Sequence, residues 1–309
     1  MPKPTFTVVI PLYNKEREIG ATLRSVLRQT RLPEEILVVD DGSTDGSAAE
    51  VRRVDSPLVR LITQPNAGVS AARNRGITEA RGSHIALLDA DDEWEPGFLA
   101  AVEALIDEFP DCGLYCTGFT VVSHDGCFPA PGPERRGVVE NFFRDSAHRY
   151  IAIPSVSCIP RRVFDDVGDF PVGMKIAEDL HLWIRIARRY RVCYTPERLV
   201  RYSRVASNRS ASSYTPERTD HSFEELYDPA APEEEREFIA RAALGKALIQ
   251  SVKGGSEEAD RAARFFHWTK IYRRTLRKVR LLNRLPVAWR GPLLDVYNAL
   301  AWRLARKGL

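Results

Sequence analysis

The sequence predicts an α/β protein with a doubly wound, mainly parallel sheet, followed by a C-terminal α-helical extension. Three observations support this fold class. Strand-like and helix-like segments alternate through the first hundred residues, the strand-like segments are almost continuously apolar, and the last third of the chain has helical periodicity. Continuous apolar runs are typical of strands that are buried on both faces of a parallel sheet. Their alternation with helices is typical of right-handed crossover connections.

The first half contains four strand–helix pairs. The first strand covers residues 5–12, and the helix after it, over 15–29, carries its apolar side chains on one stripe. The other predicted strands are 35–40, 58–62 and 84–88, and the other predicted helices are 47–54, 69–80 and 97–109. Ligands of such sheets bind at the carboxyl ends of the strands, near the point where the strand order reverses.

The rest of the chain is first mixed and then helical. Strands are predicted at 113–122, 155–160 and 192–204, helices at 161–167 and 179–190, and a loop at 128–136. Four further helices are predicted, over about 217–227, 233–252, 257–282 and 292–306. We therefore expect a sheet domain over residues 1–215, divided into halves 1–110 and 111–215, and a helical extension over 216–309.

Composition excludes several protein classes. Of the 309 residues, 44% are hydrophobic and 28% are charged, which is ordinary for a globular protein. No apolar run approaches the roughly 18 to 20 residues of a membrane span, and the first residues do not resemble a signal peptide. The cysteines have no CxxC spacing, so we expect reduced, buried thiols and a cytoplasmic protein. They are Cys112, Cys116, Cys127, Cys158 and Cys193.

The net charge of +3 hides a basic C-terminus. Residues 261–309 contain 13 lysines and arginines and one acid, so this segment carries +12 and the remaining residues carry −9. One predicted helix there places an aromatic and aliphatic stripe opposite the cations; the stripe is Phe265, Trp268, Tyr272, Leu276 and Val279. Three interpretations stay open: an anchor on an anionic membrane surface, a structural annex that packs on protein, and a nucleic-acid-binding tail.

Acidic side chains cluster where a sheet ligand is expected. The second strand ends in Asp40 and Asp41, and the fourth runs into Asp89, Asp91 and Asp92. Carboxylates at this edge repel one another unless a cation or polar ligand is present, and an Asp-x-Asp spacing suits Mg²⁺ or Mn²⁺ held together with phosphate oxygens. The alternative is that these acids cap the helices that follow them.

Other common site motifs are absent. The sequence has no GxGxxG after its first strand, no GxxxxGK[ST] and no GxSxG. These absences argue against a nucleotide-dependent dehydrogenase, a P-loop NTPase and an α/β-hydrolase.

Six segments, in order, resemble the motifs of family 2 glycosyltransferases, which have the GT-A fold. The four donor-side segments are VIPLYN at 9–14, VVDDGSTD at 38–45, NAGVSAARN at 66–74 and LDADD at 88–92. Two later segments, RRVFDDVGDF at 161–170 and AEDLHLWIR at 177–185, are similar to the acceptor-side segments of the family. The resemblance covers about residues 5–205. Each motif alone is weak, but six in sequence are specific.

The resemblance implies transfer of a sugar from a nucleotide-diphosphate sugar to an acceptor hydroxyl, with inversion at the anomeric carbon of the sugar. UDP is the default nucleotide. Pro11, Tyr13 and Asp41 are then expected to line the nucleobase pocket. Further donor-side residues are expected on the loop after the third strand (Asn66, Gly68 and Arg73), at the ribose (Asp89) and in the Asp-x-Asp motif (Ala90).

The same resemblance assigns the metal and the base. Asp91 is expected to bind a divalent ion, Mn²⁺ or Mg²⁺, that bridges the diphosphate, and Asp179 is expected to be the general base. Glu178 is expected to orient that base or to contact the acceptor. From the residues alone, Asp179 is equally compatible with an N-cap of the helix that it begins.

Two departures from the family pattern matter. Members often carry a histidine in the segment corresponding to 202–210, and this chain has none. Two alternatives stay open: Arg204 or Arg209 supplies positive charge instead, or Asp91 and phosphate oxygens alone hold the metal. The Gln-x-x-Arg-Trp motif of processive synthases is also absent, which favours addition of a single sugar.

The family association implies a saccharide or lipid-linked saccharide acceptor in cell-surface polysaccharide synthesis. We expect a cytoplasmic enzyme, peripheral on the inner face of the membrane, without a specific nucleic-acid partner. Two alternatives stay open: a non-catalytic nucleotide-sugar-binding scaffold that acts through the basic tail, and a sugar-phosphate nucleotidyltransferase. The latter would have a glycine-rich basic loop where this chain has Tyr13 to Glu16.

Overall fold

The chain forms two compact units, Met1–Ser212 and Ser213–Leu309. The computed structural model describes residues 3–147, 149, 151–207, 215 and 219–294. Within these residues, no helix combines the length and the apolarity that crossing a bilayer requires. The first unit has the predicted α/β fold with a mainly parallel sheet.

The first half of the sheet consists of four parallel strands and their crossover helices. In chain order they are β1 (Phe6–Leu12), α1 (Ile19–Leu27), β2 (Glu35–Asp40), α2 (Ser47–Arg52), β3 (Val59–Thr63), α3 (Val69–Glu79) and β4 (His84–Leu87). β1 pairs in parallel with both β2 and β4, and β2 pairs in parallel with β3. These bounds lie within a few residues of the predicted ones, as cap positions commonly do.

The second half extends the same sheet. It contains β5 (Glu93–Trp94), α4 (Phe98–Glu108), β6 (Cys112–Ser123), β7 (Gly126–Pro129), β8 (Gly137–Val138), α5 (Phe142–Asp145), β9 (Ser157–Pro160), α6 (Arg161–Val167), α7 (Glu178–Arg189) and β10 (Arg191–Ser203). The strand order is β3-β2-β1-β4-β9-β6-β10-β5, with β7 on β6 and β8 on β10. β9 is antiparallel to both β4 and β6, whereas β10 runs parallel to β6.

Burial explains why the central strands lack an alternating pattern. Every residue of β2 is buried, and in β1 only Pro11 is partly exposed. Both faces of these strands are buried, one of them under α3, so neither face needs polar side chains. α3 packs so closely on β1 that a Cβ at Gly76 would lie 2.3 Å from Cγ1 of Val9. Only glycine fits there.

The topology brings the predicted donor-side acids to one edge. β1 lies between β2 and β4, and all three strands run in the same direction. Asp40 ends β2 opposite Leu12 at the end of β1, and Asp89 follows the end of β4. The sheet therefore positions these carboxylates at the edge where ligands of open α/β sheets bind.

The second unit is helical in its described residues. Its helices are α8 (Glu233–Val252), α9 (Ser256–Phe265) and α10 (Arg273–Leu282), and residues 287–294 are also helical. The predicted helix over 233–252 is confirmed. The prediction over 217–227 is wrong for residues 219–227, which form bends and turns, and residues 216–218 lie outside the described part. For the predicted helix over 292–306, residues 295–306 also lie outside it.

The prediction of one continuous helix over 257–282 is wrong. The chain leaves the helical conformation after Phe265 and resumes it at Arg273. The cause is Glu237, a buried side chain on α8 that accepts hydrogen bonds from Thr269 Oγ1 at 2.5 Å and from the backbone N–H of Lys270 at 2.9 Å. A carboxylate that binds these two donors fixes a turn where local periodicity alone favours a helix.

The break divides the predicted apolar stripe. Leu276 and Val279 are buried inside the second unit, whereas Phe265 is 40% exposed. The rings of Phe265 and Trp268 both contact Tyr227, at centroid distances of 5.4 and 5.3 Å. Much of the stripe is thus part of the core of this unit and does not form a single membrane-facing surface.

One prediction about the cysteines is also wrong. Cys112, Cys116, Cys158 and Cys193 are buried free thiols, but Cys127 is exposed. Cys127 lies on β7, whose four residues are all exposed and which pairs only with β6 among the described strands. The segment predicted as a loop over 128–136 therefore begins inside this edge strand.

Candidate active site

Asp41 organises the loop that follows β3. Its carboxylate accepts hydrogen bonds from the backbone N–H groups of Ala67 and Gly68 at 2.9 and 2.8 Å, and from Gln64 Nε2 at 2.8 Å. The side chain of Asn66 donates in return to the Asp41 carbonyl at 2.9 Å. The structure thus brings three of the predicted donor-side residues into one hydrogen-bonded group.

The backbone after Asp41 requires glycine. Gly42 has a φ of +74°, and a Cβ on it would lie 2.8 Å from the backbone nitrogen of Asn66. Both the left-handed conformation and the close approach of the two loops favour glycine here. The Asp-Gly pair therefore holds the ends of β2 and β3 together.

Pro11 and Tyr13 lie at the end of β1, beside this loop. The Asp41 N–H donates to the Leu12 carbonyl at 2.8 Å, so the ends of β1 and β2 are joined immediately next to Tyr13. The Tyr13 side chain is 41% exposed, whereas Pro11 is partly buried within the strand. An exposed aromatic ring at this edge is able to stack on a planar base.

Arg73 links two carboxylates that are far apart in the sequence. Its guanidinium donates to Asp89 Oδ1 and to Glu178 Oε1, each at 2.8 Å, and lies 5.1 Å from the ring centre of Phe170. Arg73 is 3% exposed and belongs to α3. The prediction that it lies on the loop before that helix is therefore wrong. Its buried charge is paired on both sides, as a buried guanidinium requires.

Asp179 directly follows Glu178, one of the two carboxylates that pair with Arg73. The surrounding protein desolvates its carboxyl and raises the pKa to about 7; the negative charge of Glu178 adds to the shift, and Arg73 opposes it. The carboxylate accepts a hydrogen bond from the Leu180 N–H at 2.8 Å. The N-cap position of α7 is occupied by Ala177 and not by Asp179. Asp179 is therefore a proton-accepting group whose pKa lies near neutral pH.

The backbone is strained on both sides of the site. Among the described residues, only Asn14 and Ala177 have positive φ without being glycine, at 52° and 63°. Asparagine tolerates this region, but alanine does so only at an energetic cost. Ala177 directly precedes Glu178, so the start of α7 is held in place by its surroundings and not by local preference.

Asp91 is paired with a lysine. Lys15 Nζ lies 2.7 Å from Asp91 Oδ2, and both side chains are largely buried. Burial raises the pKa of Asp91, Lys15 opposes this shift, and Asp89 adds to it. A cationic group therefore already lies on the oxygen predicted to bind a metal. One carboxylate of this kind, completed by phosphate oxygens, suits the hard oxygen coordination of Mg²⁺ or Mn²⁺.

Asp92 has a structural role. It is 1% exposed, accepts from Ser155 Oγ at 2.5 Å and from the Ser203 N–H at 2.8 Å, and burial raises its pKa well above the usual value. Ser155 Oγ in turn accepts from the Asp89 N–H at 3.1 Å. Ala90 is buried, and its carbonyl accepts from Thr22 Oγ1 at 3.0 Å. These bonds fix the backbone of the Asp-x-Asp motif.

None of the five aspartates at this edge of the sheet caps the helix that follows it; they are Asp40, Asp41, Asp89, Asp91 and Asp92. α2 begins after Gly46 and α4 after Gly97, and neither cap position carries a side-chain hydrogen bond. The capping alternative is therefore wrong for these residues.

Sequence patterns missed several residues of the site. Lys15, Ser155 and Phe170 each lie more than fifteen residues along the chain from the site residue that they contact. Lys15 follows directly after the Tyr-Asn pair and Phe170 ends the segment RRVFDDVGDF, but nothing in either motif indicates these contacts. Of the two arginines that might have replaced the missing histidine, Arg204 is exposed, and Arg209 lies outside the described residues.

Comparison with known proteins agrees with this geometry. Residues 7–168, just over half of the chain, match the family described as Glycosyl transferase family 2. An uncharacterized glycosyltransferase, YibD of Escherichia coli (strain K12), is 46% identical over 29% of this chain and 27% of its own length. The putative teichuronic acid biosynthesis glycosyltransferase TuaG of Bacillus subtilis (strain 168) is 26% identical over 68% of this chain and 83% of its own length.

Longer enzymes and a solved structure are also similar. Chondroitin synthase of Pasteurella multocida (strain Pm70) is 35% identical over 42% of this chain and 14% of its own length. The structure of S. aureus TarS 1-349 in complex with UDP-GlcNAc has a TM-score of 0.64 at 21% identity, over 90% of this chain and 88% of the other. At this identity the structural likeness shows the fold alone.

Replacing Asp179 with asparagine is expected to raise the melting temperature at about pH 8 and to leave it unchanged at about pH 3.5. The unfolded carboxyl ionises above about pH 4, but the folded one does so only near pH 7. The cost of burying a charge therefore builds up between these values and is complete above them. Thermal unfolding followed by circular dichroism, with the exposed Asp55→Asn as a control, measures the difference. An equal shift at both pH values contradicts the raised pKa.

Proposed function

The chain belongs to glycosyl transferase family 2, and we propose that it transfers a single sugar, with inversion, from a nucleotide-diphosphate sugar to an acceptor hydroxyl. The observation that carries this proposal is the network Asp89–Arg73–Glu178 with Asp179 beside it. It connects the acids at the edge of the sheet to a proton-accepting group on α7 through ion pairs of 2.8 Å.

The donor is expected to lie along the ends of β1, β2 and β4. The fixed loop of Asn66 and Gly68 forms one side of the base pocket, held there by Asp41, and the exposed ring of Tyr13 forms the other, next to Pro11. Asp89, which is partly exposed and held by Arg73, would accept hydrogen bonds from ribose hydroxyls. We take UDP as the default nucleotide because it is the commonest in the family.

Asp91 would hold the divalent ion, Mn²⁺ or Mg²⁺. When bound, such an ion stabilises the negative charge that builds up on the departing diphosphate. The chain contributes the fixed backbone of the Asp-x-Asp motif, which keeps the Asp91 carboxylate in place without movement during the reaction.

Asp179 would remove the proton from the acceptor hydroxyl as its oxygen attacks the anomeric carbon. A base whose pKa is near 7 is ionised in a large fraction of molecules at neutral pH and still holds a proton well, which is the compromise that general-base catalysis favours. Attack from the side opposite the diphosphate inverts the anomeric centre. Glu178, fixed by Arg73, would orient the base or hydrogen-bond the acceptor.

We infer that the acceptor is a saccharide or lipid-linked saccharide of a cell-surface polysaccharide. TuaG is named for teichuronic acid biosynthesis and another relative for chondroitin synthesis, which supports this class of product. The absence of a Gln-x-x-Arg-Trp motif supports addition of one sugar at a time.

We also propose that the second unit places the enzyme on the inner, anionic face of the cell membrane. Its described part exposes large apolar side chains within α10 and on either side of it in the sequence, and α10 itself is rich in lysine and arginine. These side chains, 46 to 62% exposed, are Ile271, Leu281, Val287, Trp289 and Leu293. Apolar groups that insert at the interface and cations that meet anionic headgroups are the two components of peripheral binding. This surface differs from the stripe that the sequence suggested.

Calorimetric titration with UDP, GDP, CDP and dTDP, each with and without Mn²⁺, tests the donor site. We expect one diphosphate to bind wild-type protein in a Mn²⁺-dependent manner, and Asp91→Ala to lose at least about tenfold in that affinity. Asp55→Ala, which removes an exposed acid, serves as the control. Binding of none of the four diphosphates overturns the proposal, and binding without any sugar transfer or donor hydrolysis favours the scaffold alternative.

The pH dependence of the reaction tests the base. Because Asp179 acts only when ionised, kcat/KM should rise about tenfold per pH unit below pH 7 and level off above it. Asp179→Asn should lower the rate by about 10² to 10⁴ and remove this rise. Initial rates of nucleotide release across this range measure both effects. A rate that is independent of pH in wild-type protein contradicts the assignment.

Sedimentation with lipid vesicles tests the membrane surface. Wild-type protein should bind vesicles that contain phosphatidylglycerol more strongly than neutral phosphatidylcholine vesicles, and added salt should weaken this binding. Trp289→Ser should reduce binding several-fold, while Phe128→Ser, at an aromatic residue of the first unit that is 50% exposed against 62% for Trp289, should not. Equal binding of both variants would show that the membrane surface lies elsewhere.

A further inference from the structure

Lys15 is a buried lysine with an unusual pair of acceptors. Only 9% of the residue is exposed, and its ammonium donates to Asp91 Oδ2 at 2.7 Å and to the backbone carbonyl of Ser207. Lysine is almost never buried unless its charge is paired. The charged partner of Lys15 is Asp91, the carboxylate that the proposed reaction assigns to the metal.

The main chain at Lys15 is fixed, so only its side chain is free to move. The Lys15 N–H donates to Ser47 Oγ at 2.7 Å, and the preceding Asn14 donates to Ser43 Oγ at 3.1 Å. Lysine carries its charge on a flexible four-carbon stem. The ammonium can therefore leave Asp91 without any change in β1 or α1.

The second acceptor is also held independently. The N–H and hydroxyl of Ser207 donate to Glu18 Oε1 at 2.9 and 2.8 Å. Ser207 lies in the segment 202–210, which contains no histidine. Lys15 thus brings a positive charge to this segment from a position 192 residues earlier in the sequence.

We propose that Lys15 is an exchangeable counter-ion of the donor site. It neutralises Asp91 while the site is empty, gives up this carboxylate to the divalent ion, and then pairs with the donor diphosphate. An ammonium and a divalent cation repel each other on one carboxylate, whereas the diphosphate brings enough negative charge to pair with both. This inference rests on the proposed function, because it assumes that a diphosphate binds beside Asp91.

Two titrations of Lys15→Gln test the proposal, because it predicts opposite changes in the affinities for Mn²⁺ and for the diphosphate. The first measures Mn²⁺ alone, and the second measures the diphosphate that wild-type protein binds, at saturating Mn²⁺. We expect the variant to bind Mn²⁺ alone about tenfold more tightly, because the competing ammonium is gone, and to bind the diphosphate about tenfold more weakly. A variant that is merely misfolded would lose affinity for both.

Two further variants serve as controls. Arg17→Gln removes a positive charge from an exposed residue two positions away and should change neither affinity. Lys15→Met also removes the charge but keeps an unbranched side chain, so it should show the same two opposite effects and keeps the proposal testable if Lys15→Gln does not fold.

Three outcomes separate the possibilities. Tighter Mn²⁺ binding together with weaker diphosphate binding in Lys15→Gln supports the proposal. In a variant whose circular dichroism spectrum and melting temperature match wild type, unchanged or weaker Mn²⁺ binding, or diphosphate binding that is not weakened, overturns it while the proposed function stands. If wild-type protein binds no diphosphate at all, the proposed function fails, and the role of Lys15 fails with it.

Discussion

The double ion pair of Arg73 is the interaction on which the arrangement of this site depends. One guanidinium, buried on α3, is shared between Asp89, which follows β4, and Glu178, which begins α7. A buried charge is tolerated only when its partners are held in good geometry. Arg73 and Asp89 lie in the first half of the sheet domain and Glu178 lies in the second, so the Glu178 carboxylate is neutralised only when α7 is in place against α3.

The neighbouring features follow from this constraint. Glu178 is held by Arg73 only if α7 begins where it does, and the left-handed conformation of Ala177 is the local cost of that start. Asp179 is then brought into a region already occupied by Glu178, Asp89 and one buried cation, and its pKa is raised by desolvation and by Glu178 more than Arg73 lowers it. Burial beside Glu178, which Arg73 offsets only in part, thus gives Asp179 a pKa that suits a general base.

The sequence predicted most of the sheet because its information is local there. Continuous burial of β2 gives a continuous apolar run, and aspartates after two parallel strands are brought to one edge by topology alone. What could not be predicted depends on pairs of distant residues. Lys15 and Asp91 are 76 positions apart, and the turn that breaks the helix after Phe265 is fixed by Glu237 on a different helix.

A double-mutant cycle on Arg73 and Glu178 tests the central claim most directly. Arg73→Met alone leaves the buried Glu178 carboxylate unpaired, whereas Arg73→Met combined with Glu178→Gln removes that charge. Measured by denaturant unfolding, the two substitutions should couple by about 1–3 kcal/mol, so that the double variant is more stable than the sum of the single effects requires. Additivity within about 0.5 kcal/mol would contradict the claim that this ion pair joins the two halves of the site.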